Sequence, residues 1–166
     1  MKEKADSKKK DKIVTAIIVA VILFLVGFNL FSYFGASIVL PRKPLPFIEG
    51  LSPKTNKNER VDLSEGKFVV SFWALWCQPC VAEIGELNKI SKNYPIYGVI
   101  KRPFQKEAYN IVAPAFKNIV ATDEFFDEHY ISVVPTSILV ENGVISKVRI
   151  GTIDSDVVKE WFDEKK

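Results

Sequence analysis

Residues 68–80 have the sequence Phe-Val-Val-Ser-Phe-Trp-Ala-Leu-Trp-Cys-Gln-Pro-Cys, and the architecture of the chain can be worked out from there. The first six of these residues are mostly β-branched or aromatic, a composition typical of a short buried strand. Pro79 suits the first turn of a helix. Beyond it, apolar residues recur at helical spacing: Val81, Ile84, Leu87 and Ile90. The stretch therefore predicts a buried strand that ends near a pair of cysteines and continues as an amphipathic helix.

The following residues alternate between strand and helix patterns. They predict a strand at 96–100, a helix at 105–116 interrupted near Pro114, a brief strand at 119–120, a helix from Thr122 to His129 and a strand at 137–140. Asn142 and Gly143 both accept positive φ and predict a tight hairpin turn into a strand at 144–150. A last amphipathic helix directs four apolar residues inward: Val157, Val158, Trp161 and Phe162. The order β-α-β-α-β-β-α predicts a three-layer α/β domain with a mixed sheet.

Charge is distributed unevenly along the chain. Residues 1–12 hold six of the 23 basic side chains and three of the 20 acidic ones, which leaves 17 of each elsewhere. The net charge of +3 therefore belongs to the amino-terminal tail. Nucleic-acid binding needs basic groups clustered against phosphates, so a neutral main domain is not expected to bind nucleic acid.

The cysteine and histidine content restricts metal binding. The chain has two cysteines, Cys77 and Cys80, and one histidine, His129. These cannot supply the four ligands of a Cys/His zinc site within one chain, so no metal and no bound cofactor are predicted. Zinc shared between two copies through both cysteine pairs would still fit the spacing. His129 is predicted to be an exposed residue at a helix end.

The amino-terminal region has the pattern of a membrane anchor. Residues 13–41 contain no charged side chain and are long enough to cross a hydrocarbon core of about 30 Å as a helix. The lysines of residues 1–12 precede this run, and positive residues favour the cytoplasmic side. We therefore predict a cytoplasmic tail at 1–12, a single transmembrane helix at 13–40 and an extracytoplasmic domain. A cleaved signal peptide is the alternative, but its apolar region is usually about 7 to 15 residues long.

Three prolines in residues 41–46 disfavour both helix and sheet. This segment predicts an extended spacer between the anchor and a domain at 47–166.

The two cysteines have the spacing and the position for redox chemistry. Cys77 would lie at the amino end of a helix, where unpaired N–H groups and the helix dipole favour a thiolate. Cys80 is about one turn further along, so a disulfide between the two can form and open with little backbone movement. Cys77 would attack a substrate disulfide and Cys80 would release the reduced product, or the reaction would run in reverse. The spacing alone also fits a structural disulfide or half of a metal site.

Residues 72–80 match the active-site motif of the thioredoxin-like superfamily, and residues 134–136, Val-Pro-Thr, match its cis-proline loop. The anchor, Glu83 and the Asn142-Gly143 hairpin resemble the TlpA/ResA/CcmG branch of extracytoplasmic thioredoxin-like proteins. The resemblance covers about residues 45–166.

The resemblance implies a set of site residues. Pro135 would be cis and would pack beside the cysteines, where Val134 would offer backbone hydrogen bonds to a substrate strand. Thr136, in the same loop, would also bind the substrate. Trp76 and Pro79 would border the substrate groove. Glu83 has two interpretations: it assists proton transfer at Cys80, or it is an acid in the first helical turn that interacts with the helix dipole.

The chain departs from the family pattern at two positions. Ser71 stands where thioredoxins keep a buried Asp, which leaves Glu83 or water as the proton acceptor for Cys80. Gly85 replaces a proline that is common in this helix.

The resemblance implies protein dithiols or disulfides as substrates and an electron donor or acceptor in the membrane. The leading hypothesis is a reductant, as in cytochrome c maturation in related proteins. An oxidase or isomerase, a peroxide-reducing relative, and a non-catalytic membrane-held module with a stabilising disulfide are the alternatives.

Overall fold

The computed structural model describes residues 42–164, which form one seven-stranded sheet with helices on both faces. The strands are β1 (Phe47–Leu51), β2 (Asn58–Asp62), β3 (Lys67–Trp73), β4 (Ile96–Ile100), β5 (Lys117–Val120), β6 (Thr136–Glu141) and β7 (Val144–Ile150). The helices are α1 (Gln78–Ile90), α2 (Lys106–Val112), α3 (Asp123–Glu128) and α4 (Ser155–Asp163).

The strand order in the sheet is β2-β1-β5-β4-β3-β6-β7. Strands β3, β4 and β5 are parallel, whereas β6, β7, β1 and β2 pair with their neighbours in antiparallel fashion. The predicted three-layer α/β fold with a mixed sheet is therefore confirmed. Because β3 is an interior strand between β4 and β6, the cysteine segment that follows it begins at the ends of the central strands.

Local signals account for the boundaries of the helices. Thr122 caps α3 by accepting a hydrogen bond from the Phe125 N–H at 3.3 Å, as its position before the helix predicted. Asn142 and Gly143 have φ values of 51° and 75° and form the predicted hairpin turn. Helix α2 is shorter than predicted, because Ala113 adopts a left-handed conformation and ends it before Pro114.

The amino-terminal hairpin of β1 and β2 was not predicted. Strand β2 has the sequence Asn-Glu-Arg-Val-Asp, in which only Val61 is apolar. In this edge strand Val61 is the one buried side chain, and the remaining residues are polar like those of a loop. The hairpin extends the predicted sheet beyond β5.

The described part of the predicted spacer, residues 42–46, packs against the domain. The Arg42 N–H donates to the Ile145 carbonyl at 2.6 Å, and the Ile145 N–H donates to the Lys43 carbonyl at 3.0 Å. Leu45 is almost completely buried. The segment is extended, as the prolines favour, and lies along the edge of β7. The packed part of the chain therefore begins before Phe47, the predicted start of the domain.

The two faces of the sheet have separate cores. One core lies beneath α1, α2 and α4 and includes Trp73, both cysteines and Trp161. The other lies against α3 and is centred on Phe72 and Phe126, whose rings meet edge to face at 5.7 Å. Alternate residues of β3 therefore enter different cores, so this strand is buried on both sides.

No helix between residues 42 and 164 is long and apolar enough to cross a membrane. The predicted transmembrane helix at 13–40 lies outside the described residues.

Candidate active site

The two cysteines lie where β3 gives way to α1. They form a disulfide with their Cα atoms 5.2 Å apart. Cys77 is the N-cap of α1, and Pro79 occupies the first turn of this helix as predicted. Cys80 is completely buried, whereas the exposed fraction of Cys77 is 6%. Of the two sulfurs, only that of Cys77 can be reached by a substrate.

Two polar groups lie beside the Cys77 sulfur. Its Sγ accepts a hydrogen bond from the Cys80 N–H at 3.2 Å, at the positive end of the helix dipole. The Val134 carbonyl oxygen lies 3.6 Å from the same sulfur. The disulfide sulfur has no hydrogen to donate, but after reduction the Cys77 thiol can donate to this oxygen. The resemblance had implied that Val134 lies beside the cysteines, and it does.

The loop before β6 forms one side of the site. The Val134–Pro135 peptide bond is cis, as the resemblance implied. Pro135 is buried, and its carbonyl accepts a hydrogen bond from the Gly151 N–H at 2.8 Å. Thr136 is also buried, and its Oγ1 donates to the Val133 carbonyl at 2.7 Å. Thr136 therefore stabilises the conformation of the loop through a buried hydrogen bond.

The opposite side of the site is a loop that the sequence interpretation missed. The exposed Trp76 donates from its indole Nε1 to the Arg102 carbonyl at 3.2 Å. This carbonyl belongs to the segment directly after β4, in which the Arg102–Pro103 peptide bond is also cis. Loops at the carboxyl ends of parallel strands commonly form sites, and the position of this segment was therefore the available signal. Trp76 and the exposed Pro79 lie next to Cys77.

Glu83 lies in the core and not in the first turn of α1. The helix begins at Gln78, which puts Glu83 in its second turn, on the same face as Cys80. Its side chain is 5% exposed, and its Oε1 accepts a hydrogen bond from the Ile153 N–H. Burial raises the pKa of Glu83 from 4.5 to about 7, although the hydrogen bond from Ile153 opposes this effect. An acid buried in this way is not explained by the helix dipole.

Ser71 is completely buried in β3, in the position where thioredoxins have an Asp. Its cross-strand partner is Ser137 of β6, which is also buried. Sequence reasoning identified Ser71 but missed Ser137 and the Ile153 N–H. A serine within the apolar β6 sequence was the signal for Ser137.

His129 is half-buried, which differs from the exposed position that was predicted. Its ring stacks on Phe125 with the centroids 4.3 Å apart, and Nδ1 lies 2.8 Å from the Phe125 carbonyl oxygen. Burial lowers the pKa of His129, which lies at the end of α3 against Phe125, a residue that packs on the core around Phe72 and Phe126.

The fold and the cysteine pair together define a thiol-disulfide oxidoreductase. The family model described as Thioredoxin matches residues 51–164. The chain belongs to the thioredoxin family.

Relatives within this family have names that describe the same chemistry. The thiol-disulfide oxidoreductase ResA of Geobacillus thermodenitrificans is 24% identical over 96% of this chain and 99% of its own length. The sporulation thiol-disulfide oxidoreductase A of Bacillus subtilis is 27% identical over 59% of this chain and 67% of its own. The crystal structure of StoA from Bacillus subtilis superposes with a TM-score of 0.59 at 21% identity, over 73% of this chain and 100% of that one. The chain is therefore a thiol-disulfide oxidoreductase, with ResA among its relatives in sequence and StoA among its neighbours in fold.

Proposed function

We propose that the chain is a membrane-anchored extracytoplasmic reductant that opens disulfides in other proteins. Cytochrome c maturation is the candidate process, taken from the family resemblance. The observation that carries the proposal is the Cys77–Cys80 pair, in which one sulfur is accessible between two loops and the other is buried behind it.

The reaction that we propose moves two electrons from the dithiol to the substrate. The Cys77 thiolate attacks one sulfur of a substrate disulfide, which forms a mixed disulfide and releases the first substrate thiolate. Cys80 then loses its proton and attacks the Cys77 sulfur. The Cys77–Cys80 bond forms, the bond from Cys77 to the substrate breaks, and the second substrate sulfur leaves as a thiolate that takes up a proton. A membrane electron donor would reduce the disulfide again.

The modest stabilisation of the Cys77 sulfur supports the reducing direction. Strong oxidants of this fold owe their potential to a reduced form that is strongly stabilised. Here the two residues between the cysteines, Gln78 and Pro79, are both uncharged. Among residues 42–164, the Cys77 sulfur accepts a hydrogen bond from one N–H group and lies beside the Val134 carbonyl, whose oxygen faces the sulfur with its negative end. This carbonyl opposes a thiolate at Cys77.

Glu83 is proposed as the proton acceptor for Cys80. It lies one helical turn from Cys80 on the buried face of α1. Burial holds its pKa at about 7, close to the pH at which such a reaction runs. A group whose pKa lies near the operating pH is the most efficient proton acceptor and donor.

The sequence pattern supports the anchor. The uncharged run follows the lysine-rich tail, which favours a cytoplasmic amino terminus and an extracytoplasmic domain. The similarity to the Geobacillus oxidoreductase covers 96% of this chain and therefore extends beyond residues 42–164.

The location can be tested with two single-cysteine variants of a chain in which Cys77 and Cys80 are replaced by serine. Glu65→Cys marks an exposed turn of the domain, and Lys8→Cys marks the tail. A membrane-impermeant maleimide should label Glu65→Cys in intact cells, and Lys8→Cys only after the membrane is opened. Labelling of Lys8→Cys alone in intact cells would contradict the proposed orientation.

The direction can be tested in the same cells with the natural chain. Acid quenching followed by alkylation records whether Cys77 and Cys80 are thiols or a disulfide in the steady state. If a donor keeps the protein reduced, the Cys77–Cys80 pair should be mostly in the dithiol form. A pair that is fully oxidised during growth would indicate an oxidase instead.

A further inference from the structure

Four buried side-chain oxygen atoms have no hydrogen-bond partner among the described residues. One is the hydroxyl of Tyr109 on α2, and the other three come from α1 and from two strands of the sheet. These three are Ser71 Oγ, Ser137 Oγ and Glu83 Oε2. Buried polar atoms in folded proteins almost always have partners, and ordered water often supplies them. The three atoms come from three different elements, β3, β6 and α1.

The register of the sheet brings the two serines to one face. Ser71 and Ser137 are directly opposite each other in the antiparallel pair of β3 and β6. Residues two positions away on each strand, Val69, Trp73 and Leu139, belong to the core beneath α1. Because side chains alternate along a strand, both hydroxyls enter this same core. Directly opposite side chains have their Cβ atoms about 4.5 to 5.5 Å apart, a span that one water can bridge.

Glu83 faces this core from α1, where it is buried beside Cys80 and Ile84. Helix α1 leaves the end of β3 and runs back across the sheet toward β4, which is parallel to β3. Ser71 is two residues below the strand end at Trp73, or about 6.6 Å. Glu83 is three residues below Cys80 along the helix, or about 4.5 Å. The carboxyl group of Glu83, from α1, and the two hydroxyls, from the sheet, therefore face the same core close to the junction of β3 and α1.

Other side chains flank Ser71 and Ser137 on both sides along the sheet. Gly98 of β4 pairs with Ser71, and a Cβ atom at Gly98 would lie 1.9 Å from Asn118 Oδ1. The Asn118 side chain therefore lies over Gly98, where it accepts a hydrogen bond from Trp73 Nε1 at 2.9 Å. On the other side Ser137 pairs with Arg149, which is exposed and donates to the Thr152 carbonyl.

We propose that Ser71, Ser137 and Glu83 hold a buried water molecule near Cys80, and that this water carries the proton between the Cys80 thiol and the Glu83 carboxylate. The two serines are positioning residues that act through the water. In the second half of the exchange, Cys80 gives its proton to the water, which passes one to Glu83. The Cys80 sulfur then bonds to Cys77, and the electron pair of the broken bond leaves on the substrate sulfur. The inference rests on the proposed role of Glu83 as proton acceptor.

The test separates the two chemical steps in the full chain. The reduced protein, in excess, is mixed with dithiobis(nitrobenzoate), whose thiolate product absorbs visible light. Attack by Cys77 releases the first thiolate, and attack by Cys80 on the mixed disulfide releases the second. We expect Ser71→Ala with Ser137→Ala to slow the second phase by about tenfold, a part of the about 10²- to 10⁴-fold that general acid–base catalysis contributes. The first phase should keep its rate.

Matched variants distinguish a proton path from a packing effect. Ser146→Ala removes a hydroxyl of β7 that has its own partner, the Leu139 carbonyl at 3.2 Å, and should leave both phases unchanged. Ser71→Thr and Ser137→Thr keep a hydroxyl and should keep a fast second phase. The single alanine variants carry the test if the double variant does not fold. A second phase that is unaffected, or both phases slowed alike, overturns the proposal.

Infrared spectroscopy gives a readout that packing alone would not change. The carbonyl band of protonated Glu83 in the oxidised chain is identified by its loss in Glu83→Gln. This band should move to higher frequency in the double alanine variant, because the carboxyl loses the hydrogen bond from the water. The titratable side chains in or against this core are Cys77 and Cys80 on α1, Tyr94 after α1 and Tyr109 of α2, and the neighbouring charged side chains are Arg149 of β7 and Asp154 before α4. The two cysteines do not titrate while they form the disulfide, and Arg149 and Asp154 are exposed.

A band at the same frequency overturns the proposal. If Glu83→Gln itself leaves the second phase unchanged, the proposed role of Glu83 fails together with the inference. Serine variants without effect in a chain that does depend on Glu83 reject only the water path.

Discussion

Replacement of Glu83 by glutamine should raise the free energy of unfolding of the oxidised domain at alkaline pH. At acid pH, where the carboxyl is protonated, this gain should be absent. Glutamine keeps an oxygen for the Ile153 N–H and cannot ionise. The carboxyl of Glu83 in the folded chain has a pKa of about 7, against 4.5 for an exposed carboxyl, because burial disfavours its charged form. The variant therefore removes a charge that the folded protein accommodates poorly.

The size of the effect follows from the two pKa values. Below pH 4.5 the carboxyl is protonated in both the folded and the unfolded state, so it adds no pH dependence. As the pH rises from 4.5 to about 7, the unfolded chain releases the proton and the folded chain retains it. The free energy of unfolding then falls by about 1.4 kcal/mol per pH unit. Above pH 7 the loss levels at about 3 kcal/mol, since both states are ionised.

Urea unfolding of residues 42–166 without reductant measures this difference. The disulfide keeps both cysteines from titrating, so that Glu83 is the group that differs between the two proteins. The difference in stability between Glu83→Gln and the parent should increase by about 3 kcal/mol from pH 4 to pH 8. Glu86→Gln is the control, because Glu86 pairs with Lys89 at the helix surface. A stability difference that is the same at both pH values would refute the assignment of Glu83 as a buried ionising group.

Three further substitutions test the site and its supports. Cys80→Ala should accumulate a stable mixed disulfide between Cys77 and a substrate protein, detected by mass spectrometry, whereas Cys77→Ala should trap none; equal trapping by both would contradict the assignment of Cys77 as nucleophile. Gly98→Ala should lower the free energy of unfolding by about 1 to 3 kcal/mol in urea, because the new Cβ displaces Asn118 from the buried Trp73 indole; an unchanged stability would show that the hydrogen bond contributes nothing. Gly85→Ala should raise stability by about 1 kcal/mol, since Gly85 is exposed within α1 and a Cβ there meets no atom within 4 Å; a loss of stability would reveal a contact that the structure does not contain.

The parts of the fold that were predictable are those in which local signals agree with burial. Strand β3, helix α1 and the hairpin at Asn142-Gly143 combine a clear apolar pattern with suitable boundary residues, and all three were predicted. The β1–β2 hairpin was missed because β2 buries little, and its stability comes from pairing with β1. Backbone pairing between two strands leaves little trace in the side-chain composition of a strand that is largely exposed.

The residues of the candidate site were likewise predicted in part and missed in part. The cysteines, Trp76, Pro79 and the Val134–Pro135 loop were identified because a family motif marks them. The Ile153 N–H that binds Glu83 was not, since a backbone group contributes no side-chain signal and lies 70 residues away in the chain. The depth of Glu83 was also missed. A charged residue within an amphipathic helix is usually exposed, whereas this one is covered in the folded chain and meets the Ile153 N–H of the loop before α4.

The central claim is that Cys77 and Cys80 form a reducing redox pair, and their equilibrium potential tests it most directly. The full chain is equilibrated in dithiothreitol or glutathione buffers, and Trp fluorescence reports the disulfide, since Trp76 adjoins Cys77. We expect a potential near the ~−270 mV of thioredoxin. A value near ~−120 mV, typical of a strong oxidant, would contradict the proposed direction, and a pair that never exchanges would contradict the redox function itself.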